Sequence, residues 1–239
     1  MDYEEFTNSL PTDRQLEMSM AFPVLMRKVY SWMAMALVIT GLTAYYVGTS
    51  EQMLMAIVSN PILLFGLMGV ELALVIGLSA AINKLSLTVA TVMFVVYSII
   101  NGATMSFIFM AYTTTSIASA FFTAAGTFAA MSLFGYFTKT DLSSMGKILL
   151  MALIGIIIAT IVNIFLGSSM LEVICNYVGV LIFVGLTAYD TQKIKEMLMQ
   201  APDAGEGAQK MALMGALSLY LDFINLFLYL LRIFGSRRD

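Results

Sequence analysis

The sequence predicts an all-α, polytopic membrane protein whose seven transmembrane helices pack around the seventh. Three observations carry that prediction. Of the 239 residues, 60% are hydrophobic and only 11% charged; the apolar residues gather into seven runs; and the basic residues fall in alternate loops. A mean hydropathy of +0.89 lies far outside a soluble domain's balance.

Crossing the hydrocarbon takes roughly 20 apolar residues. The runs that meet this length are Val29–Gly48, Pro61–Ala81, Leu85–Tyr112, Ile117–Phe137, Gly146–Leu166, Leu171–Tyr189 and Met211–Leu231. Pro61 suits the first turn of a helix, where a backbone N–H has no partner to lose. The third run is too long for one upright crossing, so it is expected to tilt or to extend beyond the bilayer. Residues 1–28 are acidic and polar, the opposite of a signal-peptide start, and read as a cytoplasmic tail before an uncleaved first span. Residues 29–235 then form a single seven-helix transmembrane domain, and 236–239 a C-terminal tail.

Orientation follows from lysine and arginine in the short loops. Arg14, Arg27 and Lys28 precede the first span, Lys84 follows the second, Lys139 and Lys147 flank the fourth loop, and Lys193, Lys195 and Lys210 occupy the sixth. The first, third and fifth loops have none, which puts the N-terminus in the cytoplasm. Seven spans send Arg232, Arg237 and Arg238 outside, against the rule. Either the tail tolerates this or one span is re-entrant; seven full spans are preferred, because every run is long enough.

Several function classes are excluded. The chain has no histidine and one cysteine, Cys175, which removes Ser-His catalysis, histidine-bound zinc or haem, and any intrachain disulfide. No basic stripe exists for nucleic acid. A retinal pigment is disfavoured because no lysine lies within the seventh run.

Ionisable residues inside the runs are few: Glu71 in "LMGVELALVIG", Asp222 in "LSLYLDFINLF", and Asp190 at the end of the sixth. A charge at mid-membrane costs about 2.5–3.5 kcal/mol on insertion scales, so such groups face a cavity or a partner. Each also fits a neutral packing group, hydrogen-bonded between helices. In the seventh run Gly215, Ser218, Asp222, Asn225 and Tyr229 recur at steps of three and four, one polar face along the helix. Such a stripe belongs against protein or water, which centres this helix in the bundle. Tyr97, Asn101 and Thr104 make a weaker stripe in the third run, and Thr160 and Asn163 mark the fifth; interhelical hydrogen bonds and a pore lining explain these equally well.

Asp190 and Asp222 lie on consecutive, antiparallel helices. If the carboxyls meet, they cannot both ionise cheaply and titrate as a pair. Contact requires the sixth helix to continue past Tyr189 through "TQKIKEMLMQ", which is helix-compatible up to Pro202.

The stretch "GLTAYDTQKIKEM", residues 185–197, resembles the signature of the Bax inhibitor-1 family, the transmembrane BAX-inhibitor-motif or lifeguard family, in its bacterial branch. "YSIINGATMSFIF" and "GYFTKTDLSSMGKILLMALIGIIIATIVN" support the resemblance, which covers about residues 20–235. It implies a seven-helix fold with the last helix surrounded by the other six, sited in the bacterial inner membrane as a monomer and acting as a pH-sensitive calcium leak rather than an enzyme. The family's paired aspartates match Asp190 and Asp222, with Tyr189 and Thr191 as signature neighbours. A family glutamate linked to the pore matches Glu71; Asn101 and Asn225 are added as ion-pathway candidates. Some members carry an arginine latch after that glutamate, where this chain offers only Lys84. The insert "PDAGEGAQ" lengthens the loop between the aspartates. Calcium takes oxygen ligands, and Asp190 and Asp222 with few other charges would hold it weakly, as a leak requires.

Two alternatives belong to other classes. Bacterial relatives are associated with restraining a membrane-bound AAA+ protease, a role in which the acidic N-terminal tail could take part. An intramembrane aspartyl protease would use the two aspartates as acid and base; "Ala188-Tyr189-Asp190" resembles one element of that class, but Asp222 sits in "LYLD", not in the Gly-x-Gly-Asp the second element needs.

Overall fold

The computed structural model describes the backbone of residues 12–237 and the side chains of residues 20–237. Its helices are α1 (Thr12–Thr49), α2 (Glu51–Val58), α3 (Pro61–Ala81), α4 (Leu87–Met105), α5 (Ile108–Ala111), α6 (Thr114–Phe137), α7 (Ser143–Leu166), α8 (Ser169–Met199) and α9 (Glu206–Phe234). Among the described residues seven helical segments are long and apolar enough to cross a bilayer, with α4 and α5 counted as one. The chain is an all-α, multi-pass membrane protein.

Side chains fix where several helices start. Asn60 accepts the Leu63 N–H ahead of Pro61 at the first turn of α3, and the hydroxyls of Ser86, Thr113 and Ser168 do the same for α4, α6 and α8. Asp141 accepts the Ser143 N–H at 2.8 Å beside the start of α7; the Ser143 hydroxyl and amide together hold its carboxyl below the usual range.

The helices outrun the apolar runs. α1 begins at Thr12, well before Val29, because Arg14, Gln15, Leu16 and Glu17 are good helix formers that hydropathy does not register. Residues 1–11, most of the acidic stretch considered for protease contact, lie outside the described residues. The third run is not one continuous helix: it breaks after Met105. There the Ala103 carbonyl accepts both the N–H and the hydroxyl of Ser106, tightening the last turn, before α5 resumes.

α9 is the centre. In its most apolar window 67% of residues are buried, against 6% in α3 and in α7, and it packs on α1, α4, α6 and α8. The expected ring of six is therefore incomplete. α3 leans on α4 and α2, while α7 leans on α8 and faces α9 across a cavity.

Contacts at the two ends settle the course of the chain. Lys28 donates to Gln209 at 2.7 Å, and Glu206 accepts the Leu87 N–H at 3.0 Å, so the basic loops gather at one end. At the other end Thr113 N–H donates to the Ser236 carbonyl and Ser236 N–H to the Ser116 hydroxyl. The C-terminal segment thus lies opposite the basic loops, as seven full crossings require, and no span turns back.

Candidate functional site

Asp190 and Asp222 line one cavity of about 360 Å³. α9 supplies Ser218, Leu221, Asp222, Asn225 and Tyr229, four of the five residues in the predicted stripe; α8 supplies Phe183, Leu186 and Asp190; α7 closes the outside with Leu150, Leu153 and Ile157. The fifth, Gly215, abuts Ile194 instead. α8 does continue past Tyr189, to Met199, and Asp190 shares its cavity with Asp222. Asp222 is 5% exposed, and its Oδ2 is the one buried side-chain polar atom without a hydrogen-bond partner among the described residues. An unfilled buried acceptor of this kind costs about 1–3 kcal/mol, more if charged. Asn225, which also lines the cavity, donates its amide to the Leu221 carbonyl at 2.8 Å.

The residues around Asp190 explain the density of polar groups in the signature. Thr191 bonds the Thr187 carbonyl and the Ser132 hydroxyl, which in turn meets Tyr30, joining α8, α6 and α1. Gln192 closes the α6–α7 loop from both sides, accepting Leu142 N–H and donating to the Thr140 carbonyl, each at 2.8 Å. Lys195 donates to the Tyr136 carbonyl at 2.8 Å. The Tyr189 ring lies against Gly146 at the start of α7 and under the Lys193 ammonium at 5.8 Å. Asp190 is thus held on a helix pinned on several sides. Gln192→Leu should lower stability by about 2 kcal/mol by orphaning two loop groups; chemical denaturation in detergent would read this, and an unchanged midpoint would contradict it.

Glu71 and Asn101 are not in that cavity. Glu71 accepts from Thr104 Oγ1 at 2.6 Å and from Asn101 Nδ2 at 3.3 Å, while Asn101 Oδ1 accepts from the Tyr220 hydroxyl at 2.9 Å. Tyr220 also meets Thr40 at 2.7 Å, and Thr40 reaches the Ser98 carbonyl. The chain of bonds joins α1, α9, α4 and α3 through the interior, with Tyr97 and Phe94 edge-on to the Tyr220 ring. The stripe of α4 is therefore an interhelical network. Tyr220→Phe, which leaves Asn101 Oδ1 without its donor, should cost about 1–3 kcal/mol; a shift below half that in the unfolding midpoint energy would contradict the network's role.

Other candidates fall away from the cavity. Lys84 is exposed in the α3–α4 loop, makes no ion pair among the described residues and does not line the cavity. Thr160 bonds its own helix at Ile156, and Asn163 accepts Ser168 N–H beyond the end of α7. No group of three His, Cys, Asp or Glu able to hold a metal occurs among the described residues. Tyr220, Thr40, Gln192 and Lys195 are the residues that reading the sequence missed. The polar cluster that follows Asp190 was the available signal for the last two.

A family model described as "Inhibitor of apoptosis-promoting Bax1" matches residues 23–239. The chain is 51% identical over 214 residues to inner membrane protein YbhL of Escherichia coli (strain K12), covering 89% of this chain and 92% of that one. It is 45% identical over 212 residues to an uncharacterized protein of Borreliella burgdorferi, covering 89% and 91%. A further uncharacterized protein, RP147 of Rickettsia prowazekii, is 43% identical over 217 residues, 90% of each chain.

Proposed function

Because the chain belongs to the Bax inhibitor-1 family, we propose that it is a pH-sensitive calcium leak of a bacterial inner membrane, a monomer that passes ions rather than catalysing a reaction. The observation that supports this most is the cavity that carries Asp190 and Asp222 together, with Oδ2 of Asp222 unfilled. Ser218 and Asn225 line the same cavity and carry further side-chain oxygens. Calcium takes about six to eight oxygens, so this set with water would bind it weakly, and a conducted ion must leave as readily as it enters.

The gate in this reading is the dyad. Asp190 faces Asp222 from α8, Lys193 follows one turn on, and α7 contributes only apolar side chains. With a proton between them the carboxyls hold α8 to α9; ionised together they repel and attract a cation. Flux should therefore rise with pH. The N-terminus would lie in the cytoplasm with the basic loops. Glu71, tied into the Tyr220 network, would couple α3 to α9 rather than meet the ion at the dyad. Calcium entry into dye-loaded proteoliposomes tests the reading: uptake above empty liposomes, increasing between pH 6 and 8, is expected. No uptake at any pH from folded protein would overturn it.

A further inference from the structure

We propose that the cavity between α7, α8 and α9 is also a binding site for a protonated organic amine with an apolar body. The lining is mixed: α8 and α9 bring Asp190, Asp222 and Asn225, whereas α7 brings only Leu150, Leu153 and Ile157. A metal ion gains nothing from the apolar wall. Its volume of about 360 Å³ is also far larger than one ion needs, and lies at the lower end of the range that encloses small organic molecules.

An alkylammonium matches both halves. Its three N–H donors need only a few acceptors, and Oδ2 of Asp222, 95% withdrawn from solvent with its residue, is an acceptor with none of its bonds made. Pairing a buried carboxylate with a cation relieves the penalty that burial imposes on it. The body of the ligand would lie along Leu150 and Leu153. Among the described residues α7 closes the cavity with Leu150, Leu153 and Ile157, and it is one of the two least buried spans. This site stands whether or not calcium passes.

The test compares 2-phenylethylamine hydrochloride with 2-phenylethanol, equal in shape but without the charge, on the full chain in lipid nanodiscs. Near saturation the amine should raise Tm by roughly 5 °C, and the alcohol should leave it nearly unchanged. Asp222→Asn should lose the shift, as should Leu153→Trp, which fills the cavity without touching either carboxyl. Equal shifts from amine and alcohol would mean a plain apolar cavity and overturn the proposal; so would no shift, or one retained in Asp222→Asn. If a variant fails to fold, the amine-to-alcohol comparison on the native chain still decides. No calcium enters this assay, so its failure and that of the leak are separate results.

Discussion

Asp222→Asn should abolish the pH dependence of calcium flux and hold it at the low level expected of the native chain at pH 6. The substitution keeps the size of a side chain that is 5% exposed, so the fold should persist. What changes is the charge on a group that shares its cavity with Asp190. An asparagine amide can donate to Asp190 at every pH, so the fastened state no longer depends on a titrating proton. Where native flux would rise by about tenfold across the window, as one titrating pair allows, the variant's ratio should stay near one. Asp190→Asn should act in the same direction. The double variant should add little, because the two carboxyls act as a unit. A native profile in either single variant would remove the dyad from the gate.

Gly135→Ala should be the most damaging small substitution in the bundle. Gly135 is buried on α6 where that helix meets α8, and a Cβ there would fall on the backbone of Ala188, within contact of its carbonyl oxygen, carbonyl carbon and Cα. Backbone cannot turn aside as a side chain does, so α6 must move from the helix that carries Asp190. Forcing atoms into such a contact costs typically about 1–3 kcal/mol. Gly155→Ala on α7 is the matched control, since nothing lies within 4 Å of its Cβ position; it should be neutral or slightly stabilising, as alanine favours a helix. Reversible unfolding in mixed micelles would compare the two, and equal midpoints would contradict the close α6–α8 contact.

The seven crossings were readable because each apolar run has about the length a crossing needs, and the position of α9 because Ser218, Asp222, Asn225 and Tyr229 share one face. Hydropathy also held information that was left unused. The two most apolar spans, α3 at 2.3 and α7 at 2.8, are the least buried. In a membrane lipid is as apolar as leucine, so the most hydrophobic helix belongs outside rather than in the core. Other features left no local trace. The break after Met105 lies inside the long run Leu85–Tyr112, whose hydropathy does not register it. Glu71 gave no sign that it would meet Asn101 and Thr104 instead of the aspartates, because its partners depend on how α3 leans on α4. Gln192 and Lys195 look like solvated polar groups of a helix end, yet Gln192 reaches the Thr140 carbonyl in the α6–α7 loop and Lys195 the Tyr136 carbonyl in the last turn of α6, which only the packing of α6 on α8 brings near.

The most direct test of the dyad as gate is to titrate its proton and the flux in the same membranes. Infrared difference spectra of the native chain, with Asp222→Asn as the reference, isolate the carbonyl stretch of the protonated pair. The account predicts that this band disappears with a midpoint within about half a pH unit of the midpoint for calcium flux, since one equilibrium sets both. A band that titrates well outside the flux transition, or that remains unchanged in Asp222→Asn, would show that another group gates the pore.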